Sequence, residues 1–333
     1  MEGIRSKAAP PLVLGDEECL GCKIMRARSS VGFVLGLLLL SNAWPAPAFG
    51  QERQESGVAV SWIPEKPEQG DAMVVTVEAE GSVSKVEGRF IDRDLIFFPW
   101  GEGSWKAFAP IPVGARTGER PLTVTVVSQE GGRSQSRASV ALLPHDFQET
   151  ELRVDPRFIK PPEEERPRIR RDRQMIREAF AVSKDERLWR LPFVRPVEGR
   201  RTSPFGTRRT FNGEIRSRHM GVDFDGRPGD PIKALTDGEV VLAHDLYYAG
   251  RSVFIDHGHH LFTVYFHLTD IEVEVGERVE AGQRIGTVGA TGRVTGPHLH
   301  LGVRVQGRYV NPERFLELSL GDDPRHGRKK DVD

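Results

Sequence analysis

Cysteine is nearly absent from this chain: two in 333 residues, Cys19 and Cys22, both upstream of the one long apolar run. Downstream of that run a disulfide framework and a thiolate metal site are both excluded, so any metal must be held by imidazole and carboxylate. Long hydrophobic stretches are lacking too. The run Val31–Leu40 is ten residues, about half of the roughly 20 that a membrane-spanning helix needs. Nor is there an excess of either charge. Lys and Arg total 47 against 48 Asp and Glu, a balance that does not suit an obligatory nucleic-acid binder or a protein held on acidic membranes by charge.

The short apolar run instead has the three parts of a secretory signal. Arg26 and Arg28 precede it, and small residues follow at Ala46-Pro47-Ala48 and Ala48-Phe49-Gly50, so cleavage is expected near Ala48 or Gly50. Met25 opens a good basic leader, whereas the preceding residues make a poor one. Residues 1–50 therefore read as an upstream extension plus signal peptide, with translation starting at Met25 and the Cys19/Cys22 pair left outside the exported protein.

Three regions follow. Over residues 57–143, Val58-Val60-Trp62, Met73-Val75-Val77 and Leu122-Val124-Val126 alternate with their neighbours at period two, and Gly- and Pro-bearing turns separate them. About seven short strands in this length predict an immunoglobulin-like β-sandwich, whose Phe97, Phe98, Trp100, Trp105 and Phe108 are expected to fill its core. Residues 144–199 are charge-rich and proline-punctuated. Ile169, Ile176 and Phe180 recur there at i, i+7 and i+11, one stripe of a helix about 15 residues long. Six arginines lie between residues 166 and 177 and are expected on its solvated face. From 200 to 316 the pattern returns to strands with frequent glycine, predicting a second all-β domain, and the tail 317–333 is expected to be disordered.

Nine of the ten histidines lie beyond residue 200. On an extended strand His298 and His300 project to one face. The segment His219-Met-Gly-Val-Asp223, if extended, also puts its imidazole and its carboxylate on one face. Tyr265-Phe-His267 adds a histidine at a strand end. Imidazoles with one hard carboxylate and no thiolate suit zinc with an open coordination position. Each element alone is weak, but all three in order within one glycine-punctuated β domain form a coherent set. His257, His259 and His260 crowd a hairpin tip, where solvent-facing turn residues are expected rather than a second metal site. His244 is expected to be structural.

These residues, together with Ile255-Asp-His-Gly258, Val275-Gly-Glu-Arg-Val279, Gly282-Gln-Arg-Ile-Gly286, Thr291-Gly-Arg-Val-Thr-Gly-Pro-His-Leu-His300 and Val310-Asn-Pro312, resemble the lysostaphin-type (LytM-like) zinc metalloendopeptidases of peptidoglycan. The resemblance runs from about Ser203 to Phe315. It implies an antiparallel β domain of the duplicated hybrid-motif type, and one zinc per chain held by His219, Asp223 and His300. It also implies His267 and His298 as catalytic histidines that do not bind the metal. Because the set is complete, the resemblance implies an active enzyme rather than a non-catalytic murein-binding adaptor or amidase activator, the competing class. The implied substrate is the peptide stem of peptidoglycan, held extended across a groove that the connector positions or masks. The implied place of action is the periplasm or envelope of a Gram-negative bacterium. Biotinyl or lipoyl carrier hairpins look similar over residues 275–286 but need an exposed turn lysine, and none lies between Lys233 and Lys329. Gly286, Gly289 and Gly292 follow neither order of the phosphate-binding loops.

Overall fold

The computed structural model describes residues 57–324; the expected signal peptide, Met25, the two cysteines and the end of the tail lie outside them. Among the described residues no helix is long and apolar enough to cross a membrane. The fold is mostly β, with largely antiparallel sheets.

Residues 58–142 form two four-stranded antiparallel sheets that share one core. One sheet has the spatial order Val58–Ile63, Ala72–Ala79, Ser104–Pro110, Phe97–Pro99; the other runs Arg93–Leu95, Val83–Phe90, Gly118–Ser128, Arg133–Leu142. The period-two pattern sets which side chains enter that core: Met73, Val75 and Val77 from the first sheet meet Leu122, Val124 and Val126 from the second. Three of the five aromatics expected in this core are not part of it. Phe98, Trp100 and Phe108 project from the outer face of the first sheet and pack around Trp189 of the connector, with ring centroids 5.5, 5.9 and 5.5 Å away. Phe108 also meets Phe315 of the C-terminal domain at 5.2 Å. Trp189 is fully buried. Arg314 then locks the junction with both terminal nitrogens, one 2.8 Å from each Asp71 oxygen and the other 2.9 Å from Glu68.

The C-terminal domain is built on one large antiparallel sheet. Its central strands are Val222–Asp225, His298–Val305, Leu261–Leu268, Gly250–Asp256 and Gly238–Leu246, in that spatial order. Every residue of Leu261–Leu268 is buried, which explains why that stretch does not alternate in polarity: both of its faces are covered. Leu261, Tyr265 and Leu268 enter the main core. On the other face, Val264 and Phe266 pack with the helix Arg166–Ala181, which lays Ile176 and Phe180 on the sheet.

The connector is therefore not a loose linker. Beyond that helix and Trp189, its strand Glu149–Leu152 pairs in parallel with Arg208–Phe211 of the C-terminal domain. The tail also departs from expectation, because Leu320 is buried and Asp323 lies 2.9 Å from Arg187. These contacts give residues 317–324 a fixed place that their polar composition does not announce. Two of the hairpin histidines are likewise packed against other groups rather than simply solvent-facing. His257 is fully buried between the Asp237 carbonyl and the Thr263 hydroxyl, each 2.7 Å away, and His259 stacks on Phe98 at 5.5 Å. By contrast His244, expected to be structural, is exposed.

Two expected outcomes follow for stability. Trp189→Ala empties the junction between the domains and should cost about 3–5 kcal/mol in urea unfolding. Burial pushes the His257 imidazole down to about 4, so its neutral form stabilises the fold fully above pH about 6.5. That contribution declines as pH falls toward 4, by up to about 3 kcal/mol. Unfolding measured between pH 4 and 7 should therefore show a shallower slope for His257→Gln than for the wild-type protein.

Candidate metal centre

Strand register brings the site together. Val222–Asp225 pairs antiparallel with His298–Val305, setting Asp223 opposite His300 and Asp225 opposite His298. On the other side of that strand, Phe266 lies opposite His300, and their rings stack at 5.0 Å. Directly opposed residues share a face, so Asp223, His298, His300 and Phe266 all project to the side covered by the connector helix. His267, next after Phe266, would point to the opposite side in a regular strand. Its φ of +70°, a left-handed value uncommon outside glycine, turns the ring back so that it lies 4.8 Å from His298 and 6.1 Å from His300.

The segment 219–223 is not one extended strand. The strand Ile215–Arg218 ends before His219, and the chain bends at Gly221 before Val222–Asp225 begins. A Cβ on Gly221 would stand 2.4 Å from the Leu301 carbonyl and 2.5 Å from the His300 ring. Only glycine permits that close approach. Through this bend the His219 ring still reaches the same point as Asp223.

The three side chains converge closely. His219 Nε2, His300 Nδ1 and Asp223 Oδ1 lie 2.9 Å from one another, and all three residues are buried. His219 Nδ1 lies 2.9 Å from the Pro204 carbonyl, to which it donates, so Nε2 carries a lone pair aimed at the shared point. Burial lowers the His219 imidazole, against the pull of Asp223, and pushes His300 down to about 4. For the Asp223 carboxyl, burial works upward, but His219 and His300 hold it well below the usual carboxylate range. Two neutral imidazoles and one carboxylate, buried and converging, are a donor set that fits a divalent transition metal such as zinc. Among the described residues this is the one group of three or more such side chains so arranged.

His298 and His267 stand beside it. His298 Nδ1 lies 2.8 Å from the Gly296 carbonyl, leaving Nε2 facing the centre, 3.8 Å from Asp223 Oδ1. His267 Nδ1 lies 2.9 Å from the Thr291 carbonyl. Both carbonyls fix the tautomer with the proton on Nδ1, so each Nε2 can accept one. Burial, with His298 and His300 nearby, pushes His267 well below its ordinary range.

Arg209 was not among the expected site residues. Its Nη2 lies 2.5 Å from Asp223 Oδ2 and 2.7 Å from Ser203 Oγ, which ties up the carboxylate oxygen that does not face the imidazoles. The available signal was parity: Thr207, Arg209 and Phe211 alternate along one edge of a hairpin, and Thr207 and Phe211 are buried. The whole constellation lines one wall of a groove of about 510 Å³.

Residues 217–312 match Peptidase family M23. Over 93 residues the chain is 50% identical to the peptidoglycan DD-endopeptidase ShyA of Vibrio cholerae, covering 28% of this chain and 22% of that one. Residues 217–312 are a peptidase M23 (LytM-like) domain. A second relative, the peptidoglycan DD-endopeptidase ShyC of the same organism, is 44% identical over 126 residues, 37% of this chain and 29% of that one. Similarity to solved structures reaches beyond the M23 domain. A peptidase M23 structure from Pseudomonas aeruginosa is 29% identical, with a TM-score of 0.57, and the match covers 75% of this chain and 95% of that one. The chain spans about a quarter of the length of the curated relatives it matches.

Loss of His219, Asp223 or His300 to alanine should abolish stoichiometric zinc binding in equilibrium dialysis. Arg209→Gln should leave the site occupied at saturation but weaken it about 10–100-fold, the usual effect of removing a group that orients a ligand.

Proposed function

We propose that this M23 protein is an exported zinc metalloendopeptidase that hydrolyses peptide cross-links of peptidoglycan in a Gram-negative envelope. The observation that carries the reading is the convergence of His219, Asp223 and His300 within 2.9 Å of one another, with two further histidines ready to accept protons at the same groove wall. The names of the relatives support peptidoglycan as the substrate, and the bond proposed is the D-alanyl to diamino-acid cross-link. The strand order of the N-terminal sandwich supports its reading as immunoglobulin-like: in chain-order lettering its sheets are ABED and CFG with one added edge strand.

In this reading His219, Asp223 and His300 hold one zinc per chain. When bound, zinc supplies Lewis acidity and makes water acidic enough to ionise near neutral pH. The chain's own residues do the rest. His298, with its Nε2 lone pair facing the centre, takes up a proton and returns it to the leaving amine. His267, kept neutral by burial, shares that proton traffic from beside His298, with the ring centroids 4.8 Å apart. Phe266, stacked on His300, keeps that ring from rotating out of the set and excludes water from its far face. An extended peptide lying along the groove presents its carbonyl between the two histidines, in the manner of an added strand.

Incubation with cross-linked sacculi, followed by mass spectrometry of the released muropeptides, tests the reading. Loss of cross-linked dimers that stops on chelation and returns with zinc is expected. His298→Ala and His267→Ala should each reduce turnover by at least about 100-fold while retaining one zinc. A fully active His298→Ala protein, or intact sacculi with zinc bound, would overturn it.

A further inference from the structure

The groove holds more positive charge than its own acids neutralise. Of its two lining aspartates, Asp223 is engaged by Arg209 and the histidines, and Asp172 is buried, accepting from the Tyr247 backbone N–H at 2.7 Å. Arg173, on the connector helix, and Arg293, on the loop leading to His298, both line the groove and are both partly exposed. Among the described residues neither guanidinium has a hydrogen bond or an ion pair to a carboxylate.

Arg293 is held for contact rather than left to wander. Its guanidinium lies 4.4 Å from the Phe211 ring centroid and 5.2 Å from that of Tyr248, and its backbone N–H donates to the Tyr248 carbonyl at 2.8 Å. A guanidinium held over aromatic rings, with no hydrogen bond of its own, still has N–H groups to offer a planar oxyanion. Burial pushes Arg293 below its ordinary range, Tyr248 opposes this, and the like charge of Arg209 adds to it. Arg173 acts on the same Tyr248 from the helix side. A partly desolvated guanidinium at Arg293, with no carboxylate paired to it among the described residues, costs stability that an anionic ligand would recover.

We propose that Arg173 and Arg293, flanking Tyr248, form a subsite for a free carboxylate of an acidic peptide substrate, so that the connector helix supplies a specificity residue to the catalytic groove. The inference rests on the peptidase reading and deepens it. The connector then covers the sheet and also reads the substrate: a peptide lacking the carboxylate meets two unpaired guanidinium groups.

The test uses the zinc-loaded protein and two cross-linked muropeptide dimers, one with its stem carboxylates free and one with them amidated. The wild-type protein should cut the free-acid dimer with kcat/KM about tenfold or more above the amidated one, the scale of one charge-assisted contact. Arg293→Gln and Arg173→Gln should each erase most of that preference, with the loss falling on KM more than on kcat and zinc content unchanged. Arg293→Lys should keep part of it. Arg293 also packs on rings, so Arg173→Gln provides an independent reading if Arg293→Gln melts early. Equal cutting of both dimers by the wild-type protein, or an equal loss on both in the variants, overturns the subsite while leaving the peptidase reading standing. If neither dimer is cut, calorimetric titration of each decides. Arginine-dependent preference for the acid form upholds the subsite and removes the hydrolytic reading, and no preference overturns both.

Discussion

The antiparallel register between Val222–Asp225 and His298–Val305 is the constraint on which the rest of the molecule depends. It sets Asp223 across from His300 and thereby puts two of the three convergent donors on one face at hydrogen-bond separation. A slip of one residue would move His298 and His300 to the opposite face of the sheet, because side chains alternate with period two. What resists such a slip is burial on both faces: Val264 and Phe266 meet the connector helix, while Leu261, Tyr265 and Leu268 meet the main core. The hydrophobic contacts that stabilise the sheet also hold the site geometry.

Around that register the site is completed by local departures from regular structure. Gly221 allows the chain to bend against the His300 ring, and the left-handed backbone at His267 rotates its side chain to the face that carries His298 and His300. Strained or permissive positions of this kind persist where surrounding packing over-determines them. Here the β-sheet supplies that packing on one side and the aromatic junction around Trp189 extends it to the N-terminal sandwich. Arg209 adds an electrostatic element, holding the outer oxygen of Asp223 so that the inner one faces the imidazoles.

The connector changes meaning once its packing is known. Its composition, rich in arginine and proline, describes a solvated spacer. In the folded protein its strand extends a sheet of the C-terminal domain, its helix covers the face on which the site lies, and Trp189 sits in the core between the domains. Charged side chains can line a groove while their apolar neighbours on the same helix are buried, and composition averages over that division.

What the sequence by itself determined is whatever depends on residue type and short spacing. The alternation of Met73, Val75 and Val77 implied a half-buried strand; the His298/His300 pair implied two imidazoles on one face; the absence of downstream cysteine left nitrogen and oxygen as the available ligands. The motif set between His219 and His300 pointed to the family for the same reason, since its chemistry is carried by residue identity. Only the tertiary structure decided what depends on approach between distant segments or on a single backbone angle. That Phe98, Trp100 and Phe108 face another domain, that His257 is buried, that Leu320 and Asp323 anchor the tail, and that Arg209 grips Asp223 are outcomes of packing. Period and propensity specify which face of an element is apolar, but not which other element will cover it.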